Sequence, residues 1–187
     1  MIERTYKAIQ NQTQSEGVYS IVPLRSKDRY KIMKWRNEQL YHLRQDKLLT
    51  IEDQDNYFNT VIAKEFAREK PAQLLFSFLK NGICIGYGGL VHINYIDKNA
   101  EVSFIMDTDL EMEFFETNWL KFLTLLEKIA FEEINFHKIF TFAYDLRPYL
   151  YNVLLKAGFY EEAILIEHCL FNDKFINVII HSKINKH

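Results

Sequence analysis

A single carboxylate, Glu101, lies in an otherwise apolar segment at residues 100–106, directly before an acidic turn and a long amphipathic segment. The order strand, loop, helix, strand places a ligand at the carboxyl end of a parallel strand. A carboxylate in a partly apolar cleft at such a place can accept a proton from a reacting group near neutral pH. Glu101 is therefore the candidate catalytic base. The competing interpretation is a surface strand residue paired with a lysine such as Lys98.

The elements that must position Glu101 follow from hydrophobic periodicity and turn residues. After the acidic turn, apolar residues recur at steps of three and four, and this predicts one helix over residues 114–134. Asn81-Gly82 predicts a two-residue hairpin, and Thr50 with Asp53 resembles a helix-capping box. The predicted strands span residues 19–24, 73–79, 83–93, 100–106, 138–144, 161–171 and 175–184.

Three motifs carry a family resemblance: Ile85-Gly86-Tyr87-Gly88-Gly89-Leu90, Ala100-Glu101-Val102-Ser103-Phe104 and Lys156-Ala157-Gly158-Phe159. In order and spacing they resemble the GNAT (Gcn5-related) acyl-CoA N-acetyltransferases, in particular the ribosomal-protein alanine acetyltransferase branch and its amino-sugar-acetylating relatives. The resemblance covers residues 19–184. It implies an α/β fold with one GNAT-type domain, in which helices flank a mixed, mostly antiparallel central sheet. We assign this domain to residues 18–187 and a flexible N-terminal tail to residues 1–17, which lack clear periodicity.

The resemblance implies acetyl-CoA as co-substrate. Family members bind its pyrophosphate with an Arg/Gln-x-x-Gly-x-Gly/Ala turn that opens the long helix, where backbone amides and the helix dipole favour an anion. In this chain the corresponding turn falls at residues 112–118 and contains neither glycine nor a basic residue. Glu111, Glu113 and Glu116 are present instead, and each opposes a polyphosphate by roughly 0.3–1 kcal/mol.

Cofactor binding is therefore expected to rest on other groups. In the family the fourth and fifth strands diverge, and the pantetheine arm inserts between them through backbone amides. The cofactor-binding residues implied here are Phe104, Ile105 and Met106 on the strand, Phe114, Phe115, Glu116 and Thr117 at the turn, and Arg147 as a compensating cation.

A general acid is implied by the family's tyrosine early in the last helix. Counting back from Gly158-Phe159 places Leu154 at that position, and Tyr151 lies one turn earlier. Tyr151 is the candidate general acid, with a packing tyrosine as the competing interpretation and with Tyr144 and Tyr149 nearby. The CoA thiolate can also leave without a dedicated acid.

The acceptor is a small-molecule amine by resemblance, most specifically an amino sugar linked to a nucleotide, since Trp35-Arg36-Asn37 recurs in relatives that modify such sugars. The candidate substrate-binding residues are Trp35, Arg36, Arg44, His92 and Tyr95. The arginines are equally consistent with solvated surface pairs. Open alternatives are an N-terminal protein acetyltransferase, a transferase that uses another acyl-CoA, and a catalytically degenerate binding module whose phosphate turn is filled by glutamates.

The composition bears on three further questions, namely nucleic-acid binding, metal binding and membrane association. A formal net charge of −2 with dispersed Lys and Arg argues against a nucleic-acid partner. The six histidines do not have the spacing of metal ligands, and neither cysteine has a potential ligand partner nearby in the sequence, so no metal is assigned. No apolar segment resembles a signal peptide or a membrane span, which predicts a cytoplasmic protein without a membrane partner. We expect a monomer or a homodimer formed through the last two strands.

Overall fold

The computed structural model describes residues 4–45 and 47–186. Eight strands form one sheet in the order β1-β2-β3-β4-β5-β6-β8-β7, and every neighbouring pair is antiparallel except β5 and β6. The strands are β1 (Gln14–Glu16), β2 (Tyr19–Pro23), β3 (Leu74–Lys80), β4 (Ile83–Asn94), β5 (Asn99–Met106), β6 (Lys138–Tyr144), β7 (Tyr160–Phe171) and β8 (Lys174–Ile184). The predicted single α/β domain with a mixed, mostly antiparallel sheet is confirmed.

Helices cover the sheet. They are α1 (Arg29–Glu38), α2 (Ile51–Asn56), which continues through a wide-turn segment (Tyr57–Ile62) into α3 (Ala63–Ala67), α4 (Glu111–Glu127), which continues through Lys128–Glu133, and α5 (Pro148–Lys156). The core between α4 and the sheet is aromatic. The Phe104 ring stacks on Phe122 with centroids 4.0 Å apart, and Trp119 meets it edge-on at 4.9 Å. The face of β5 toward α4 is thus filled by packed apolar side chains, and the opposite face is left for the site.

Local signals read from the sequence have the expected geometry. The Thr50 hydroxyl accepts a hydrogen bond from the Asp53 amide, and the Asp53 carboxylate accepts one from the Thr50 amide, which completes the capping box. Asn81 and Gly82 both have positive φ, as a two-residue hairpin between twisted strands requires. The Asn81-Gly82 hairpin fixes the register of β3 against β4, where Lys80 pairs with Ile83.

The glycines of the first motif allow strands to approach closely. A Cβ atom on Gly88 would lie 2.1 Å from the Ser103 carbonyl oxygen and 2.7 Å from Phe104 Cα, and one on Gly89 would lie 1.9 Å from the Leu74 carbonyl oxygen. Any side chain there would push β4 away from β5 or from β3. The glycines of this motif therefore allow neighbouring strands to approach closely.

The N-terminal segment differs from the expected flexible tail. From residue 4 onward it is described, and Tyr6 is fully buried, with its ring stacked on Phe66 at 4.3 Å. The Tyr6 hydroxyl donates to the Leu75 carbonyl oxygen at 2.7 Å and accepts from the Leu75 amide at 3.1 Å. Residues 14–16 add β1 to the sheet. Tyr6, buried and with its hydroxyl both donating and accepting a hydrogen bond, anchors this segment. The sequence did not predict this order because the hydrophobic periodicity of the segment is weak. Residues 1–3 of the expected tail lie outside the described residues.

Candidate active site

The parallel strands β5 and β6 separate next to Glu101. Their register runs through Asn99↔Lys138, Ala100↔Ile139 and Glu101↔Phe140, and it ends there. Beyond this point a cavity of about 110 Å³ opens between residues 102–105 of β5 and 141–144 of β6. We call it the inter-strand cleft. The divergence of these two strands, which the family resemblance implied, is confirmed.

Backbone groups of β5 line this cleft. The Asp107 amide donates to the Ile85 carbonyl of β4 at 2.9 Å, so alternate residues, including Val102 and Phe104, direct their backbone groups toward the cleft. Met106 also faces this side, but its carbonyl oxygen already accepts from Gln39 Nε2 at 2.8 Å. Of the three expected strand residues, Phe104 therefore has the backbone best placed to meet an extended ligand.

Glu101 is buried, with 5% of its surface exposed, and both of its carboxylate oxygens are bound. Oε1 accepts from Arg44 Nη2, and Oε2 lies 2.7 Å from His92 Nδ1. The Arg44 guanidinium lies over the Phe142 ring at 4.9 Å, so it bridges β5 and β6 at the mouth of the cleft. The carboxylate thus faces an open site and is not a solvated surface residue paired with Lys98.

A second cavity, of about 410 Å³, lies on the face of β5 that is opposite α4. Its lining residues are Arg36, Leu43, Arg44, Ala72, Gln73, Val91, His92, Ser103 and Ile105. We call it the basic cavity, because its charged side chains are cationic. Arg36 is held there by hydrogen bonds from its Nη1 to the Tyr87 hydroxyl at 2.8 Å and from its Nε to Gln45 Oε1 at 2.9 Å. Arg36, Arg44 and His92 are therefore brought together as the sequence predicted.

Trp35 is buried in the core, and Tyr95 is half-buried outside the lining of the basic cavity. Trp35 is 1% exposed and packs in the core, because the apolar face of α1 turns it inward. The Tyr95 hydroxyl donates to the Pro71 carbonyl at 2.9 Å, and its ring packs edge-on against Phe136. The expected role of Trp35 in substrate binding is wrong, since it is a core residue, whereas that of Tyr95, which closes a turn beside the basic cavity, stays a prediction.

The expected phosphate turn at residues 112–118 is also wrong, because these residues are helical. The Asp107 side chain accepts from the Asp109 amide and caps a short 3₁₀ turn that leads directly into α4 at Glu111. Asp107 therefore occupies the Asp109 amide just before α4, and its carboxylate opposes the binding of an external anion at this helix start. A cap and acidic first turn at Asp107-Thr108-Asp109 were the overlooked signal.

The four residues expected to form that turn point in different directions. Phe114 packs beneath Lys80, with the Lys80 Nζ atom 4.9 Å from its ring centroid, and Thr117 is exposed. Glu116 pairs with Lys156 of α5 at 2.7 Å. Only Phe115 borders the end of the inter-strand cleft, where its ring lies 5.7 Å from the Arg147 guanidinium carbon. Phe115 is thus the one member of this set that the fold brings near a ligand path.

Arg147 is the buried cation at that end of the cleft. It lies at the start of α5, it lines the cleft, and its Nη1 is 3.4 Å from Glu111 Oε1. Burial raises the pKa of Glu111, while Arg147 and the Tyr41 hydroxyl counteract this. His42 lines the same end, where burial and the nearby Arg147 lower its pKa to about 3. The imidazole is therefore neutral, and Arg147 supplies the positive charge.

Tyr151 does not face the cleft. Its hydroxyl donates to Asp145 Oδ1 at 2.9 Å, and its ring stacks on His181 at 5.2 Å. Burial and the bond to Asp145 raise the pKa of Tyr151, which makes it a poorer proton donor. Leu154 is fully buried, whereas Tyr144 lines the cleft. The role of Tyr151 as general acid is not supported by this geometry, because its proton is committed to a carboxylate.

Three polar residues of the cleft were missed. Gln39 and His42 lie in a polar connection without a recognisable motif, and only folding brings them to the cleft. Thr141 offered a weak signal, as the one hydroxyl in the apolar run Ile139-Phe140-Thr141-Phe142-Ala143.

Among residues 4–45 and 47–186, no three His, Cys, Asp or Glu side chains are grouped closely enough to hold a metal ion. Over the same residues, no helix combines the length and apolarity that a membrane crossing needs.

Comparisons with known proteins agree with this architecture. A family model described as an acetyltransferase (GNAT) domain matches residues 21–179, whereas no curated protein matches the chain. Among solved structures, a spermidine N-acetyltransferase from Vibrio cholerae in complex with CoA and spermine superposes with a TM-score of 0.76 at 20% identity, covering 90% of this chain and 96% of that one.

Two further structures are similar to the same degree. A chimera of the Vibrio cholerae spermidine N-acetyltransferase SpeG and hSSAT gives a TM-score of 0.75 at 21% identity, with coverage of 90% of this chain and 96% of that one. A dodecameric structure of the Vibrio cholerae enzyme in an intermediate state gives 0.71 at 21%, with coverage of 90% and 95%. At this level of identity these likenesses establish the shared fold.

Proposed function

The chain belongs to the acetyltransferase (GNAT) domain family, and we propose that it transfers an acetyl group to the primary amine of a small acceptor that carries an anionic group. The acetyl donor is acetyl-CoA, and the protein is an N-acetyltransferase. The observation that carries the proposal is the position of Glu101, a buried carboxylate at the point where β5 and β6 separate and beside the basic cavity.

In the proposed reaction the pantetheine arm lies in the inter-strand cleft and bonds the backbone of Phe104. The acceptor amine enters from the basic cavity, on the other face of β5. The amine nitrogen forms a bond to the thioester carbonyl carbon, and the C–S bond breaks as the thiolate leaves with its electron pair. Glu101 takes the proton that the amine loses, directly or through one water. The thiolate leaves without a dedicated acid and is protonated by solvent.

Binding of the cofactor phosphates is assigned to Arg147. It is the buried cation at the end of the cleft, and it replaces the glycine-rich turn that this chain lacks. The acids around the start of α4 weaken that site, because Glu111 competes for Arg147 and Asp107 caps the 3₁₀ turn that precedes the helix. We therefore expect CoA to bind, but less tightly than a helix N-terminus without such carboxylates would allow.

The charge of the basic cavity favours an anionic acceptor. Arg36, Arg44 and His92 line it, and the carboxylate that touches this lining, Glu101, is already bound by two of them. Asp53 lines an adjoining cavity, but its carboxylate is used in the capping box of α2. A phosphate or carboxylate on the acceptor would satisfy Arg36, which has no carboxylate partner among the described residues. A nucleotide-linked amino sugar has this chemistry.

A polyamine is the second candidate, because similar solved structures are spermidine N-acetyltransferases. A polyamine carries several ammonium groups, and the basic cavity would repel those that are not acetylated. An N-terminal protein acetyltransferase remains a further candidate. A degenerate binding module is disfavoured by the family membership and by the retained carboxylate at residue 101.

The test is a binding measurement followed by an acceptor panel. We expect acetyl-CoA to bind by titration calorimetry, and turnover to be faster with amino sugars that carry a phosphate or a nucleotide than with spermidine. Arg36→Met should raise KM for the anionic acceptor about tenfold, as loss of a charge-assisted hydrogen bond does, while Arg36→Lys retains part of the affinity. Arg29→Met, which removes a partly exposed arginine paired with Asp55, is the matched control and should leave KM unchanged.

Two results would contradict the proposal. If spermidine outperforms every anionic amine and Arg36→Met improves its use, the acceptor class is wrong. If neither acetyl-CoA nor CoA binds at millimolar concentration, acetyl transfer itself is excluded.

A further inference from the structure

The Thr141 hydroxyl is a buried polar group that no described residue satisfies. Thr141 lies on β6 and is 4% exposed, and its Oγ1 has no hydrogen-bond partner in residues 4–45 and 47–186. Buried side-chain oxygens nearly always have a partner, so each exception needs an explanation. Valine or isoleucine at this position of the strand would avoid the cost of burying an unpaired hydroxyl. The hydroxyl is therefore more readily explained by a ligand than by folding.

The position of Thr141 identifies where that ligand would be. The preceding residue, Phe140, forms the last paired position of β6 with Glu101. Thr141 is thus the first β6 residue after the strands separate, and it lines the inter-strand cleft. The wall around it is largely apolar, with Phe104, Trp119 and Leu150. One hydroxyl in an apolar cleft is the kind of polar group that orients a bound ligand.

A second unsatisfied atom lies next to it. His181 on β8 is the cross-strand partner of Thr141, so both side chains project from the same face of the sheet. His181 is 1% exposed, and its Nδ1 is without a partner among the described residues. Burial lowers the pKa of His181, which keeps the ring neutral. Cross-strand pairing therefore places the two residues with unsatisfied polar atoms next to each other, and Thr141 is the one that lines the cleft.

We propose that the Thr141 hydroxyl, with His181 behind it, is a hydrogen-bonding site for the pantetheine arm of acetyl-CoA near its thioester end. This inference rests on the proposed function, since it takes the cleft to be the path of that arm. The arm is apolar between separated amide groups, and this matches an apolar cleft with one hydroxyl. A hydroxyl that can both donate and accept suits either side of an amide. The site needs neither the helix N-terminus nor a glycine turn.

Thr141→Val and Thr141→Ser test this assignment, because valine has the shape of threonine without the hydroxyl and serine keeps the hydroxyl. The free Thr141→Val protein should have a higher Tm than the wild type, since an unsatisfied buried hydroxyl is removed. Its Kd for CoA should rise about five- to tenfold, the usual effect of losing one hydrogen bond. Thr141→Ser should keep the CoA affinity within about twofold. A purely structural threonine cannot give a more stable protein that binds CoA less well.

The outcomes separate this inference from the proposed function. If the wild type binds CoA and Thr141→Val binds it equally well, the hydroxyl is not a cofactor contact, although the cleft still holds the cofactor. If Thr141→Val lowers the Tm of the free protein, the hydroxyl has a partner and the premise is wrong. If the wild type does not bind CoA at all, the proposed function fails and this inference fails with it.

Discussion

His92 Nδ1 lies 2.7 Å from Glu101 Oε2, on the side of the carboxylate opposite Arg44. A break in the pairing of β4 with β5 between Val91 and Asn94 makes this contact possible, because it places His92 in a left-handed conformation with φ of +48°. Such a conformation is costly for a residue with a side chain, and it is found where the surrounding structure enforces it. The bulge thus directs the imidazole to the carboxylate.

The first prediction concerns Glu101. Glu101→Gln keeps the shape and hydrogen-bonding capacity of the side chain but cannot take up the amine proton at neutral pH. We expect kcat at pH 7.5 to fall by about 10²–10⁴, the range that a positioned base contributes, with the Kd for CoA nearly unchanged. Steady-state kinetics and calorimetry on the same preparation measure the two effects. An unaltered rate would remove Glu101 from the mechanism.

The second prediction separates Glu101 from its neighbour. If Glu101 takes the proton and His92 positions it, His92→Ala should lower kcat about three- to tenfold, as loss of one supporting hydrogen bond does. His92→Asn, which can still donate to Oε2, should recover part of that loss. A loss in His92→Ala as large as that in Glu101→Gln would instead identify the imidazole as the proton acceptor, with Glu101 orienting it.

The third prediction concerns the ion pair between Glu111 and Arg147. Because burial raises the pKa of Glu111, this carboxyl takes up a proton at a higher pH than an ordinary glutamate. Protonated Glu111 no longer competes for Arg147, so the CoA affinity of the wild type should approach that of Glu111→Gln as the pH falls. Glu111→Gln should bind CoA about two- to fivefold more tightly than the wild type at pH 8, and its affinity should depend less on pH.

Glu113→Gln is the matched control for that experiment. Glu113 lies in the same first turn of α4 but makes no ion pair with Arg147 in the described structure. Its neutralisation should therefore change CoA affinity about twofold or less, with the pH dependence of the wild type retained. Calorimetric titrations of the three proteins at pH 8, 6.5 and 5 decide the matter. Identical pH profiles for wild type and Glu111→Gln would show that Glu111 does not control the site.

The fold was largely predictable from the sequence because its signals are local. Asn81-Gly82 determines a hairpin by its φ values, Thr50 with Asp53 caps a helix, and Gly158 ends one with φ of +83°. The start of α4 was misplaced because the family's phosphate turn was laid on residues 112–118, whereas α4 begins at Glu111 after a 3₁₀ turn that Asp107 caps. In that case the family pattern outweighed a capping signal that was present in the sequence.

The site was predictable only in part, because it depends on contacts between residues far apart in the sequence. Glu101 could be identified by its polarity in an apolar strand, but its bonds to Arg44 and His92 follow from a loop and a bulge. Trp35 illustrates the opposite error. It adjoins Arg36 in a motif, yet helical geometry turns the two side chains in different directions, so Trp35 is buried while Arg36 lines the basic cavity.

The fourth prediction concerns self-association through β7 and β8. Ile166, Leu170 and Phe175 are 78%, 62% and 66% exposed, and Leu170 pairs with Phe175 across the hairpin. Since β7 is also an edge strand, this apolar hairpin is expected to pair with a second copy. Sedimentation should show a homodimer that Phe175→Glu dissociates, whereas Ile96→Glu, at a more exposed turn position outside the hairpin, leaves it intact. A monomeric wild type, or an assembly unaffected by Phe175→Glu, would contradict this interface.

The fifth prediction uses His42, whose imidazole is partly buried near Arg147 with its Nε2 3.2 Å from Gln39 Oε1. Its pKa is lowered from 6.5 to about 3, so between these values the unfolded chain binds a proton that the folded protein does not. The contribution of neutral His42 to the free energy of unfolding is complete above pH 6.5 and is lost as the pH falls toward 3. His42→Gln cannot take up that proton in the unfolded state. From pH 7 to pH 5 the free energy of unfolding should therefore fall by about 2 kcal/mol less in His42→Gln than in the wild type.

Urea unfolding of both proteins at the two pH values measures this difference directly. Because glutamine can keep the hydrogen bond to Gln39, the variant should fold normally at pH 7, and its pH–rate profile should match the wild type, since a neutral imidazole contributes no titration to catalysis. Equal acid sensitivity of the two proteins would mean that His42 is protonated in the folded state. Two adjacent positive charges, on His42 and Arg147, would then lie at the end of the cleft, and the cofactor site would be stronger than proposed.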